Sequence, residues 1–399
     1  MNNFCKCIAK MFSAFSCKQA DIHCIEKTMI DLSWIGKLEF KKYVAPFAID
    51  RDNQYLPALK EKLHSLVNDF RQCSADPEFV KTAEYYVESL IQSVELYYKG
   101  RVIEAQNIVN HLVNEFEEGG VAISNINNSI AFPPSGENDR YSEVQFFRAR
   151  LNDVVVDYPA NEMLHIPFSC REIVKSERFS IPGLPCLYLA NSTYACWIEM
   201  GRPADYRFNV SPIVLDNTQK ILNLTVSIRD LCSLFSDNDT VPKLAPSRES
   251  ISEMIKLIIL NIATSYRVKQ SGRNFRSEYI LPQLIMLACK NRGLSGVSYY
   301  SKQVDDEIFA SIVGINVVLF PEYNGDDYSE ICDHLQVGDS FNFSMYKQLL
   351  AGQTYKGYYL RIDNSPYINN IGTWKRQFPY KETEFYQFDK YLFAYWKRN

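Results

Sequence analysis

The chain has 399 residues, enough to bury a large core and to divide into two or three domains. Its apolar content of 46% is ordinary for a globular protein, and a net charge of −4 at pH 7 gives no reason to expect nucleic acid or acidic lipid as the main partner. Of eleven cysteines, Cys186, Cys196, Cys232 and Cys289 sit among hydrophobic neighbours and read as reduced core residues, which predicts a cytoplasmic protein.

In chain order, the first segment is "MNNFCKCIAKMFSAFSCKQ". Its short apolar stretch, broken by Lys10, lacks the core and cleavage site of a signal peptide. Cys5, Cys7, Cys17, His23 and Cys24 lie close together, and thiolates with imidazole suit zinc. The spacing is not the paired C-x2-C pattern, so free cysteines on a small amphipathic segment are preferred to a structural zinc site.

Residues 46–120 predict a small all-α domain. Leu59, Leu63, Leu66, Val67 and Phe70 recur at helical spacing, and a second helix opens on Asp76-Pro77 and stops near Gly100. A third follows in "RVIEAQNIVNHLVNEF", so the pair around Gly100 forms a helical hairpin. Residues 121–140, rich in Gly, Asn, Ser and Pro, predict a linker. From 141 to 399 the β-prone runs "VQFFRARL", "PCLYLA", "SPIVLDN", "KILNLTV", "GVSYYS" and "GINVVLF" alternate with helical ones, which predicts an α+β domain. One helix is expected to start at Ser250 with Glu253 closing a capping box, and another to end at Gly293. The longest apolar run outside the N-terminus, "MIKLIILNIATSY", is too short to span a bilayer.

The stretch "RFSIPGLPCLYLANSTYACWIEMG", residues 178–201, carries the chemistry. Arg178 precedes a rigid Pro182-Gly183 turn, Tyr188 lies toward the end of a strand, and Glu199 falls near the middle of a helix that starts at about Ser192. A carboxylate among Tyr194, Ala195, Trp197 and Ile198 is costly unless it faces solvent, a partner or a ligand.

This stretch resembles the RES domain, named for Arg, Glu and Ser. The family pattern Gly-Arg-Trp-Asn-Pro-Pro-Gly-x-Pro, a strand ending Tyr-Leu-Ala and a helix with Glu corresponds to Glu177 through Pro185, Leu187 through Ala190, and Glu199. "FFRARL" resembles the early strand with its first arginine, here Arg148. "GVSYYSKQ" resembles the late segment that supplies the serine, here Ser301, and "GINVVLF" the following strand through Asn316, Leu319 and Phe320. The resemblance covers about residues 141–322. Phe179 stands for the usual Trp, Ser298 for an Arg and Tyr300 for a Pro, and residues 202–290 are longer than in a minimal domain.

The resemblance implies an ADP-ribosyltransferase-like fold and NAD consumption by hydrolysis or phosphorolysis, as in bacterial toxins and defence effectors. NAD is then substrate, with no cofactor or metal needed, and an inhibitory antitoxin or regulator is an expected partner, which the helical domain could hold. Cleavage at the nicotinamide ribose passes through an oxocarbenium-like centre, which Glu199 could steady. Arg148 and Arg178 could grip the pyrophosphate, Tyr188 stack on nicotinamide, and Ser301 hold ribose or phosphate. His165, just upstream of Arg178, could reach the same site. Glu278 and Gln283 are polar groups at an apolar helix start; Gln283 could support the pocket, though capping or solvent contact is preferred. Arg178, beside a turn, is expected to contribute little to stability. The alternatives are an ADP-ribosyltransferase acting on a macromolecule, and a non-catalytic interaction protein on a degenerate fold.

Overall fold

The computed structural model describes residues 31–129, 131, 143–216, 218–233, 246–303, 314–352, 370–373 and 376–396. Cys5, Cys7, Cys17, His23 and Cys24 lie outside these residues. The described chain mixes helices with antiparallel and parallel strand pairs and gathers into two compact units.

Unit 1 comprises residues 1–124, 128–133 and 222–292. Its elements are β1 (Phe47–Ile49), α1 (Tyr55–Gln72), α2 (Pro77–Tyr98) and α3 (Val102–Asn114), most of β2 (Ile123–Asn125), then α5 (Ile228–Ser233), α6 (Arg248–Thr264), β7 (Tyr266–Val268) and α7 (Ile280–Asn291). The three helices expected from periodicity are all present. Asp76 caps α2 by accepting from the Glu78 amide at 2.9 Å, and Gly100 turns the α2–α3 hairpin at φ +74°.

Three expectations differ here. The helical unit is neither contiguous nor all-α. Every residue from Leu257 to Thr264 is buried, so α6 must be covered on all sides; α1, α2 and α7 pack against it, and β1 pairs with β7 in parallel. The expected linker begins buried, with Val121, Ala122 and Ile123 inside unit 1. The third difference is at the start of α6, where Ser247, not Ser250, is the cap and accepts from the Ser250 amide. Glu253 instead accepts from the Val121 amide at 2.8 Å and so ties the 119–122 turn to α6. Glu278, before α7, is buried in a two-pronged pair with Arg273 (2.7 and 2.9 Å).

Unit 2 comprises residues 125–127, 134–221 and 293–399. It holds β3 (Glu143–Leu151), β4 (Leu187–Ala190), α4 (Thr193–Glu199), β5 (Phe208–Asp216), the start of β6 (Lys220–Asn223), β8 (Gly296–Tyr300), β9 (Ile315–Leu319), β10 (Leu335–Val337), β11 (Phe341–Asn342), α8 (Phe343–Gly352), β12 (Asn370–Thr373), β13 (Arg376–Pro379) and α9 (Glu384–Trp396). All six β-prone runs are strands. Six strands lie in the order β10-β5-β3-β4-β9-β8, each antiparallel to the next, and β11 adds to β5.

The C-terminal region belongs to the core of this unit. Phe343 and Tyr346 of α8 and Phe388, Leu392 and Phe393 of α9 are buried with Phe147, Ala195, Cys196 and Val210. One face of the sheet and α4 are therefore covered by residues beyond the stretch that carries the sequence resemblance.

Candidate active site

The 178–201 stretch folds as a loop, a strand and a short helix across the middle of the unit 2 sheet. Gly183 takes φ +80°, which glycine adopts without strain, and the turn delivers the chain into β4. Arg178 is 7% exposed. Its guanidinium carbon lies 4.8 Å from the Tyr299 ring and 5.1 Å from that of Phe179, and Nη1 donates to the Tyr300 carbonyl at 2.9 Å. The residue thus clamps its loop onto β8, and the expectation that it adds little to stability is corrected: it is a buried tether, not a surface arginine beside a turn.

Tyr188 lies second in the four-residue β4, and its hydroxyl donates to Ser180 Oγ at 3.1 Å. Burial pushes its phenol well above the ordinary range. The helix α4 starts after Ser192, whose hydroxyl accepts from the Ala195 amide at 3.0 Å. Glu199 is the last residue of α4 rather than a middle one. Its carboxylate is exposed and accepts from Asn316 Nδ2 at 2.6 Å.

Register explains why these groups meet. Ala190 of β4 and Tyr299 of β8 both stand opposite Asn316 of β9, so the carboxamide that holds Glu199 neighbours the ring on which Arg178 stacks. Ser301 follows Tyr300 directly; it is buried, and its Oγ accepts from the Gln303 amide at 3.1 Å. Glu199, Arg178, Tyr188 and Ser301 are in this way brought to three adjacent strands.

Arg148 joins by a different route. Whereas β3 pairs with β5 along its whole length, it meets β4 at one register pair, Phe147 opposite Ala190. Arg148 Nη1 donates to the Tyr188 carbonyl at 3.1 Å, and its buried Nε has no hydrogen-bond partner among the described residues. Burial first, and Arg150 second, lower it to about 10, so it stays cationic at neutral pH. Among the described residues no hydrogen bond or ion pair joins Arg148 to Glu199. Both nonetheless lie within electrostatic reach of the Cys196 thiol on α4, which burial pushes far up and out of nucleophilic use.

His165 does not present a ring nitrogen to this group. Nδ1–H donates to the Ile166 carbonyl (2.8 Å) and Nε2 accepts from the Ser329 amide (3.1 Å), a pattern that fixes the neutral tautomer. Burial lowers its pKa, and Phe168 and Tyr328 pack on the ring. The expected substrate contact is corrected to a bridge between the 165 and 329 loops. Gln283 lies on α7 of unit 1. Asn316, Tyr299 and Ser180 are the residues that sequence reasoning left out of the site. The signal for Asn316 was a lone carboxamide in the apolar run "GINVVLF".

No family model matches the chain. It is similar to a Bacillus subtilis (strain 168) protein named "Putative toxin YopC", with 30% identity over 253 residues, 61% of this chain and 54% of that protein. The chain therefore spans about half the length of this curated relative. The Mycobacterium tuberculosis MbcT–MbcA toxin–antitoxin complex is a structural neighbour at 15% identity and a TM-score of 0.29, covering 52% of this chain and 90% of that one. Among the described residues no helix is long and apolar enough to cross a membrane, and no group of three or more His, Cys, Asp or Glu is placed to hold a metal.

Proposed function

We propose that the chain is an NAD-consuming toxin of the RES type that cleaves the nicotinamide–ribose bond. The observation that carries this reading is the exposed Glu199 carboxylate, fixed at 2.6 Å by a buried asparagine beside the Arg178–Tyr299 stack. A carboxylate held in one place by a neutral carboxamide is suited to steady positive charge developing on a sugar ring. The likeness to a protein named as a toxin supports the same reading.

In this mechanism the C1′–N bond of NAD breaks and its electron pair leaves with nicotinamide. Glu199 steadies the resulting oxocarbenium, and an oxygen of phosphate, or of water that releases a proton to solvent, then bonds to C1′. Arg148, cationic and with a buried Nε lacking a partner among the described residues, supplies a fork for the pyrophosphate. Tyr188 offers its ring edge to nicotinamide while its hydroxyl stays with Ser180. Ser301 holds a ribose or phosphate oxygen. An activity that drains NAD calls for restraint in the cell that makes it, so an antitoxin-like inhibitor is the expected partner.

The test is chromatography of NAD incubated with the purified protein, with and without phosphate. Nicotinamide release is expected, with Glu199→Gln lowering it by about a hundredfold or more while the protein stays folded. Undiminished release by the folded variant removes Glu199 from the chemistry. ADP-ribose attached to a protein would assign transfer to a macromolecule instead.

A further inference from the structure

The helix that carries Glu199 has seven residues, too few to hold its own position, and its first turn is gripped from the C-terminal helix. The Thr193 amide donates to Asp389 Oδ1 at 3.0 Å, and Thr193 Oγ1 donates to the Phe385 carbonyl at 3.3 Å. Asp389 Oδ2 in turn accepts from the buried Tyr380 hydroxyl at 2.6 Å. Asp389 and Phe385 belong to α9 and Tyr380 to the turn before it, all beyond the region that resembles RES domains.

We propose that Asp389 is a positioning residue: its carboxylate on the first amide of α4 fixes the helix that sets Glu199 against Asn316. The proposal rests on the reading of Glu199 given above. A helix rises 1.5 Å per residue, so the Thr193 amide and Glu199 are about 9 Å apart along one short rigid element. A shift at one end is delivered to the other, because Ala195, Cys196 and Ile198 pack the helix between. The negative charge also complements the positive end of the helix.

The environment of Asp389 argues for function over stability. On α4 the titratable groups are Tyr194, the Cys196 thiol and Glu199; before α9 they are Tyr380, Lys381 and Glu382; on α9, besides Asp389, they are Glu384, Tyr386, Lys390, Tyr391 and Tyr395. Facing strand β5 brings only Asp216, which binds Thr218 and His334, and Lys347 of α8 pairs with Asp205 and Glu384. Among the described residues no ion pair reaches Asp389. Burial raises it to about 6, against the contrary pull of the Thr193 and Tyr380 hydrogen bonds. Because this lies above the ordinary 3.8, the native state holds the proton more tightly than the unfolded chain, and stability is lost as pH rises from about 3.8 through 6. A group that merely held the fold together would be better neutral.

The test compares wild type, Asp389→Asn and Tyr380→Phe. At pH 7.5 Asp389→Asn is expected to melt at or above the wild-type temperature, yet to release nicotinamide with a kcat about tenfold lower and an unchanged KM for NAD, the effect of losing one charged cap contact. The wild-type kcat should fall through an acid limb near pH 6 that Asp389→Asn lacks. Tyr380→Phe, which removes a hydrogen bond that favours the carboxylate, should move that limb to higher pH. Amide hydrogen exchange of residues 193–199 at pH 7.5 should be faster in Asp389→Asn whether or not NAD is turned over. If the wild type releases no nicotinamide, the functional reading fails and the exchange measurement decides Asp389 alone. Equal exchange, or a pH profile shared by wild type and variants, overturns the proposal. Should Asp389→Asn not fold, an acid limb that does not move in Tyr380→Phe overturns it equally.

Discussion

Replacing Arg178 with lysine keeps the charge and removes the plane. The guanidinium carbon lies 4.8 and 5.1 Å from the Tyr299 and Phe179 rings, which also touch each other, and Nη1 is 2.9 Å from the Tyr300 carbonyl. Each desolvated cation–ring contact is worth about 0.5–2 kcal/mol, and a hydrogen bond from a charged donor about 1.5–3 kcal/mol. Lysine, a point charge on a flexible stem, recovers part of the electrostatics but neither the stacking nor the fixed fork. The net cost is about 2–4 kcal/mol. In a unit of roughly 200 residues, each kcal/mol lowers the melting temperature by about 2–4 °C, so Arg178→Lys should melt about 5–15 °C below wild type. Differential scanning calorimetry at pH 7.5 measures this, and steady-state NAD turnover well below the transition measures function. Turnover should fall as well, because the loop carrying Ser180, and with it Tyr188, loses its tether to β8. An unchanged melting temperature would refute the argument, since it would mean that the stack and the Tyr300 bond do not hold the loop.

Asn316→Leu keeps the volume in β9 and removes the donor to Glu199; turnover should drop about tenfold while urea stability stays near wild type, because the exposed carboxylate remains solvated. Burial holds the His165 pKa below the ordinary 6.5, so the unfolded chain binds its proton first and stability contributed by the neutral ring is lost as pH falls from about 6.5 through the lower native value. His165→Gln should therefore be less stable at pH 7.5 but lose less between pH 6.5 and 5, as read from urea midpoints; an unaltered pH slope would show that another group titrates.

Much of the fold was written locally. The 3.6-residue periodicity of α1 to α3, the Asp76-Pro77 start and the Gly100 turn depend on neighbours within a few positions, so the residues alone specified them. The six β-prone runs became strands for the same reason. Glu199, Tyr188 and Ser301 came together as a set only through the resemblance to RES domains; the structure carries them on α4, on β4 and directly after β8.

What only the tertiary structure decided was pairing. The placement of α6 followed from its need to be buried on every side, and that drew residues 222–292 away from the domain in which the sequence left them. The neutral tautomer of His165 depends on two backbone groups, one of them 164 positions along the chain at Ser329. Arg178 reads as an arginine beside a turn that adds little to stability until Tyr299 and Phe179 are seen to pack against its guanidinium. Asn316 acquires meaning only from a register that sets it opposite Ala190 and Tyr299, and Asp389 only from a helix that returns to α4 after almost two hundred residues. Local propensity is a property of neighbours in the chain; burial, register and the protonation of enclosed groups are set by neighbours in space, which no spacing in the sequence encodes.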